Sequence, residues 1–205
     1  MAALEIVQIP ASDMDNFAYL IYCPHTRKGA VVDPSMHPER VLAEAAKRNI
    51  DIIWLLNTHG HQDHVRGNSL ILQQTSARHG AHPDDVADAQ TALVEGLKID
   101  LGYGALTVMH TPGHSPGSVV FVTEGAVISG DTLFVSRCGR ADLPGSDVEQ
   151  LYLSLQRLAS LPPETRIYPG HDYGPTPTST LAWELQNNPY LTCAGLDQFI
   201  ALRMG

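Results

Sequence analysis

Short apolar runs alternate along the chain with longer stretches of helical period. Leu4 to Ile9 and Phe17 to Tyr22 read as strands, joined by the polar turn Ala11 to Asp15. Gly29 to Asp33 is a third strand, stopped by Pro34. Pro38 opens a helix to about Arg48, with Val41, Leu42, Ala45 and Ala46 on one face. Ile50 to Asn57 is a buried strand that runs at once into a polar segment. Asn68 is placed to cap a helix to about His79, closed by Gly80. Residues 81–96 are polar and give the weakest signal. Leu106 to Met109, Ser118 to Val122 and Ala126 to Ser129 are short strands. Asp147 to Leu161 is an amphipathic helix closed by Pro162 and Pro163. Arg166 to Tyr168 is a strand, and Thr180 to Asn188 a last helix before a tail, from about 190, read as a short helical extension.

Several strands are too apolar for a sheet with one wet face. A mixed α/β fold with helices covering sheets follows. No repeat, low-complexity tract or linker divides the chain, so residues 1–205 read as one domain.

Charge and composition narrow the function. The net charge of -9 argues against a nucleic-acid or anionic-membrane surface, which needs basic residues. No apolar run approaches about 18 residues, so no membrane span is expected. The start, MAALEIVQIPASD, shows no basic and then apolar leader pattern. The 3 cysteines, Cys23, Cys138 and Cys193, form no disulfide framework, which points to a reducing cytoplasm. The 10 histidines outnumber the phenylalanines and methionines together and direct attention to metal chemistry.

The strongest signal is Thr58-His59-Gly60-His61-Gln62-Asp63-His64, directly after an apolar strand. A turn leaving a strand can aim His59 and His61 at one point and Asp63 and His64 at another nearby. Three more strands lead into a glycine and a candidate ligand: His110-Thr111-Pro112-Gly113-His114, Gly130-Asp131 and Gly170-His171-Asp172. Glycine lets the backbone turn sharply toward a shared centre. Histidine and aspartate without cysteine suit catalytic Zn, Fe or Mn rather than a closed structural site. Five histidines and two aspartates suffice for two metals with one shared carboxylate. A polar, solvated loop is the bland alternative.

These motifs resemble the metallo-β-lactamase superfamily and its glyoxalase II-like branch. THGHQDH matches the HxHxDH motif, and TPGHSPG, SGDTLF and YPGHDYG match the later ligand motifs in order. The resemblance runs from NFAYLIY to about NNPYL. It implies a four-layer αβ/βα sandwich with two divalent metals at one edge between two sheets. His59, His61 and His114 would hold the first metal, Asp63, His64 and His171 the second, and Asp131 would bridge. His110 is then a supporting or buried residue rather than the ligand, and His25, His37, His79 and His82 read as surface or loop histidines.

The chemistry implied is hydrolysis by a metal-bridging hydroxide, most suitably of a thioester such as S-D-lactoylglutathione, with Asp63 orienting or deprotonating the water. No GxSxG nucleophile elbow competes. Arg140 and Tyr173 fall at glutathione-contacting positions of the branch. A surface salt bridge is the alternative for Arg140, and Cys138 is either a reactive thiol or a buried inert one. Two departures leave the substrate open. The chain ends at Gly205, before the C-terminal helical region that completes the glutathione site of full-length glyoxalase II, and Asp142 stands where those enzymes place an aromatic residue. The runner-up is a persulfide dioxygenase-like enzyme with one iron on His59, His114 and Asp131, resembled in CGRAD and HDYG. An exported β-lactamase, a tRNA-processing nuclease and a non-enzymatic zinc scaffold fit less well. Expected partners are a small thioester or glutathione conjugate, with no nucleic acid and no membrane, for a monomer or small homo-oligomer.

Overall fold

A computed structural model describes residues 3–205. Two six-stranded sheets face each other. The first takes β1 (Glu5–Pro10), β2 (Phe17–Tyr22), β3 (Lys28–Val32), β4 (Asp51–Leu56), β5 (Arg78–Ala81) and β6 (Thr91–Ala92) in spatial order. Pairing is antiparallel from β1 to β3 and parallel from β3 to β6. The second sheet uses β7 (Lys98–Leu101), β8 (Gly104–His110), β9 (Val119–Thr123) and β10 (Ala126–Gly130). The chain then makes a small ribbon, β11 (Leu133–Phe134) with β12 (Arg137–Cys138), and completes the second sheet with β13 (Arg166–Pro169) and β14 (Ser179–Thr180).

Side chains alternate across each sheet with period 2, so both faces must be covered. In the first sheet Tyr19, Ile21, Ala30, Val32 and Leu56 point inward, where they meet Leu106, Val108, Phe121 and Ile128 of the second. The alternate residues Leu20, Tyr22, Val31 and Leu55 point outward. There they meet Val41 and Ala45 of α1 (Pro38–Lys47) and Ile71, which lies beyond the short α2 (Gln62–Val65) in α3 (Asn68–Gln74). On the far side Val120, Val127 and Ile167 meet Leu151, Leu155 and Leu158 of α4 (Val148–Ala159). Leu181 of α5 (Leu181–Asn187) and, beyond α6 (Pro189–Thr192), Phe199 of α7 (Leu196–Met204) complete that layer. The order helix, sheet, sheet, helix is the expected four-layer sandwich. No helix among the described residues is long and apolar enough to cross a membrane.

Local signals explain most boundaries. Pro38 opens α1, and the Asp147 carboxylate accepts from Glu149 N and Gln150 N at 2.9 and 3.0 Å to cap α4. One expectation fails. The helix from Asn68 stops at Gln74, and its N-cap is Gly67 rather than the Asn68 side chain. Thr75 turns the chain out: its hydroxyl bonds Ile71 O and accepts from Ala77 N. Residues 78–81 then pair in parallel with β4, so sheet extension overrides the helical reading. The weak segment 81–96 holds the narrow β6 and places Leu93 in the inter-sheet core.

Candidate metal centre

Strand ends from both sheets meet at one edge. The turn after β4 carries His59 and His61 and runs into α2, which carries Asp63 and His64. The second sheet supplies His114 after β8, Asp131 after β10 and His171 after β13. Gly170 allows the close approach, since a Cβ there would collide with the Asp131 carboxylate and Gly130.

All seven predicted side chains converge, in two adjoining groups. His59, His61 and His114 form the first, with His61 Nδ1 and His114 Nε2 3.0 Å apart. Asp63, His64 and His171 form the second. His64 Nε2 stands 3.2 Å from His171 Nε2, and Asp63 Oδ2 lies 3.4 and 3.3 Å from these two nitrogens. Asp131 stands between the groups, 3.3 Å from His64 Nε2, 3.4 Å from His171 Nε2 and 3.6 Å from His114 Nε2.

Hydrogen bonds on the outer ring nitrogens decide what the inner ones offer. His64 Nδ1 faces Asp33 Oδ2 at 3.0 Å, His171 Nδ1 faces Met14 O at 2.9 Å and His114 Nδ1 faces Arg140 O at 3.0 Å. Each partner only accepts, so each outer nitrogen carries the hydrogen. Thr58 donates its hydroxyl to Asp33 Oδ2 at 2.5 Å, which leaves its oxygen to accept from His59 Nδ1 at 3.1 Å. In the neutral form of each of these four rings, Nε2 is the atom left with a lone pair toward the cluster, and those of His64 and His171 face each other. His59 Nε2 and Asp131 Oδ1 are buried without a hydrogen-bond partner. Lone pairs facing lone pairs at about 3 Å in a buried site call for cations, and this donor set of imidazoles and carboxylates fits divalent metals.

Burial and charge act differently on the two groups. Burial disfavours the charged form of His59 and holds its pKa well below the ordinary value, and His114 shifts down for the same reason. Burial also opposes charge on His171, but hydrogen bonds with Asp131 and Asp63 outweigh it and push the ring up to about 10. His64 is raised because Asp131 and Asp33 outweigh its burial. Burial alone would raise Asp63 and Asp131. Instead His171 and His64 hold Asp63 well below the usual carboxylate range, and His64, with His171, does the same for Asp131.

Sequence reading missed two contributors. Asp33, at the end of β3, orients His64 directly and His59 through Thr58. Its signal was a strand ending in an aspartate, the same form as the Asp131 segment. Buried Asn16 donates its amide to Asp63 Oδ2 at 2.9 Å, and no residue pattern announced it. His79 corrects an expectation: it is buried in β5, not on the surface, with Nε2 2.7 Å from Asn57 Oδ1. His110 stays outside the cluster, half-buried, with Nε2 2.9 Å from Pro116 O. His25 is exposed, and His37 and His82 are half-buried in loops.

An open cleft of about 340 Å³ leads to the cluster, walled by Met14, Phe134, Leu143 and Tyr173 with Arg140 at its edge. Tyr173 stacks on His171 with centroids 4.5 Å apart. Arg140 is exposed and forks onto the Asp142 carboxylate with two 2.9 Å bonds. Cys138 is buried, and burial pushes its thiol up to about 12, so it is the inert alternative of the two expected.

The two-sheet sandwich with histidine and aspartate donors at one edge defines a class. Residues 12–171 match the Metallo-beta-lactamase superfamily, and the chain belongs to that superfamily. Within it, the chain is similar to the hydroxyacylglutathione hydrolase branch. It is 38% identical over 180 residues to a protein named cytoplasmic hydroxyacylglutathione hydrolase from Arabidopsis thaliana, covering 83% of this chain and 68% of that one. The chain spans about two thirds of the length of the curated relatives it matches. Among solved structures, ETHE1 from Myxococcus xanthus superimposes with a TM-score of 0.93 at 29% identity, over 98% of this chain and 90% of that one. A protein described as TTHA1623 in a di-iron-bound form gives 0.80 at 33% identity, over 90% and 100%.

Proposed function

We propose that this chain is a two-metal hydrolase of small thioesters, with S-D-lactoylglutathione as the representative substrate. The observation that carries the reading is Asp131, whose Oδ2 lies 3.6 Å from His114 Nε2 of the first group and 3.4 Å from His171 Nε2 of the second. His59, His61 and His114 would hold one divalent ion, Asp63, His64 and His171 the other, and Asp131 both. When bound, such a pair supplies hydroxide at neutral pH and a Lewis acid for a carbonyl. The ions are Zn, Fe or Mn.

The protein's own part is positioning. Asn16 fixes Asp63 Oδ2 at the cleft floor, where the carboxylate can orient water or accept its proton. Arg140 is assigned the carboxylate of the thiol half of the substrate. Its pair with Asp142 lies in solvent, where water and salt screen the attraction, so exchange for a substrate carboxylate costs little. Tyr173 forms the apolar wall beside it. A thiolate leaves without a strong general acid, which suits a cleft walled by Met14, Phe134, Leu143 and Tyr173. The relatives' names support this substrate class, and the Arabidopsis relative's name and three free cysteines support a cytoplasmic location.

The ETHE1 neighbour favours a second reading, a single iron on His59, His114 and Asp131 acting on glutathione persulfide with oxygen. Hydrolysis of S-D-lactoylglutathione and oxygen uptake with glutathione persulfide, assayed on one preparation, separate the two. Rapid hydrolysis without oxygen uptake is expected. Oxygen uptake without thioester hydrolysis would overturn the hydrolase.

A further inference from the structure

We propose that Asp85 is a positioning residue that holds the first histidine group at cation-binding distance by gripping the two loops that supply it. This rests on the two-metal reading above. His59 and His61 come from the first sheet and His114 from the second, so the spacing of this group depends on how two loops from different sheets are joined. The second group is anchored elsewhere, by Asp33, Asn16 and the Met14 carbonyl.

Asp85 lies between the two loops, on the turn after β5. Its Oδ2 accepts from Gly60 N at 2.8 Å and from the Ser115 hydroxyl at 2.6 Å. Its Oδ1 accepts from Gly117 N at 2.6 Å. Gly60 sits between His59 and His61, and Ser115 follows His114. One carboxylate thus bonds both loops at positions next to the proposed ligands, and bonds to a charged acceptor are the strong ones. The loops close tightly on it. A Cβ on Gly60 would stand 2.7 Å from Asp85 O, and one on Gly117 2.7 Å from Asp85 Oδ1.

The turn carrying Asp85 is itself mounted on the second sheet. Asp85 N and Val86 N donate to His82 O, and the His82 ring stacks on His110 at 4.3 Å and 8°. This assigns two of the five histidines outside the metal cluster, His82 and His110, to the same brace. A further strap, Val119 N to Thr58 O at 2.8 Å, joins the same loops and keeps them from separating outright when Asp85 is removed.

Selectivity is the test, since general destabilisation would weaken both groups alike. The 205-residue chain is stripped of metal, and Zn²⁺ affinity is measured by chelator competition in two backgrounds. His171→Ala leaves the first group complete, and His61→Ala leaves the second. Asp85→Ala is expected to lower affinity about tenfold or more in the His171→Ala chain, the range for lost outer support of a ligand, and under about twofold in the other. Ser115→Ala, which removes one of the three bonds and keeps the carboxylate, is expected to give a smaller loss in the same background only. It carries the test if Asp85→Ala does not fold. Equal losses in both backgrounds, or none in either, would overturn the role of Asp85. Should the parent chain bind fewer than two Zn²⁺, the two-metal reading falls first and the proposal with it.

Discussion

The two donor groups at the sheet edge differ in chemistry and in support. The first is three imidazoles, and both groups draw on both sheets. The second includes a carboxylate, and two of its members follow each other on α2. Burial keeps His59 and His114 of the first group neutral. Carboxylates keep His64 and His171 of the second inclined to hold protons. The lesson is that seven similar donors can make two unequal groups, one of rings kept neutral by burial and one in which a metal competes with protons.

The largest effects come from breaking the groups themselves. His61→Ala, which damages the first, and Asp131→Ala, which damages both, are expected to lower thioester hydrolysis by about a thousandfold or more, the scale of a lost metal-generated nucleophile. Circular dichroism should show the fold retained, because these side chains sit on strand-end turns outside the three apolar cores. Next is Asp33→Ala, which removes the partner of His64 Nδ1 and Thr58 together. Affinity at both groups should fall about 10- to 100-fold by metal titration, whereas an effect on one group alone would contradict the shared role.

Proton competition sharpens the comparison further. His171 of the metal-free chain keeps its proton until pH reaches about 10. A metal must displace that proton, so affinity at the second group rises with pH across the neutral range. His59 and His114 are already neutral there, so the first group changes less. Titration of the His61→Ala and His171→Ala chains at pH 6.5 and 8.5 compares the two slopes. The smallest effect belongs to the cleft edge. Arg140→Ala should raise KM several-fold at unchanged kcat, as expected for a lost contact made equally in ground and transition states, with no measurable loss of stability.

How far these features can be read from residues alone depends on where each is encoded. The seven donors were legible because each of their motifs begins where an apolar strand ends, as His59 follows Leu56. The continuous apolar runs of β2 to β4 likewise announced two covered faces. What escaped was encoded across distance. Asp33, Asn16 and Asp85 act on residues 25 or more positions away, through pairing that no local pattern contains. His79 was misplaced for the same reason: a helix-compatible run became a strand because β4 offered a partner. Arg140 was legible as a candidate, yet its partner Asp142 was seen only as a departure from the aromatic residue of longer relatives.

The most direct test of the two-metal account is metal counting on the purified chain, by elemental analysis and stepwise Zn²⁺ titration, with thioester hydrolysis followed at each step. The account predicts two equivalents per chain and full activity only when both are bound. Full activity at one equivalent, with no second site detected, would contradict it.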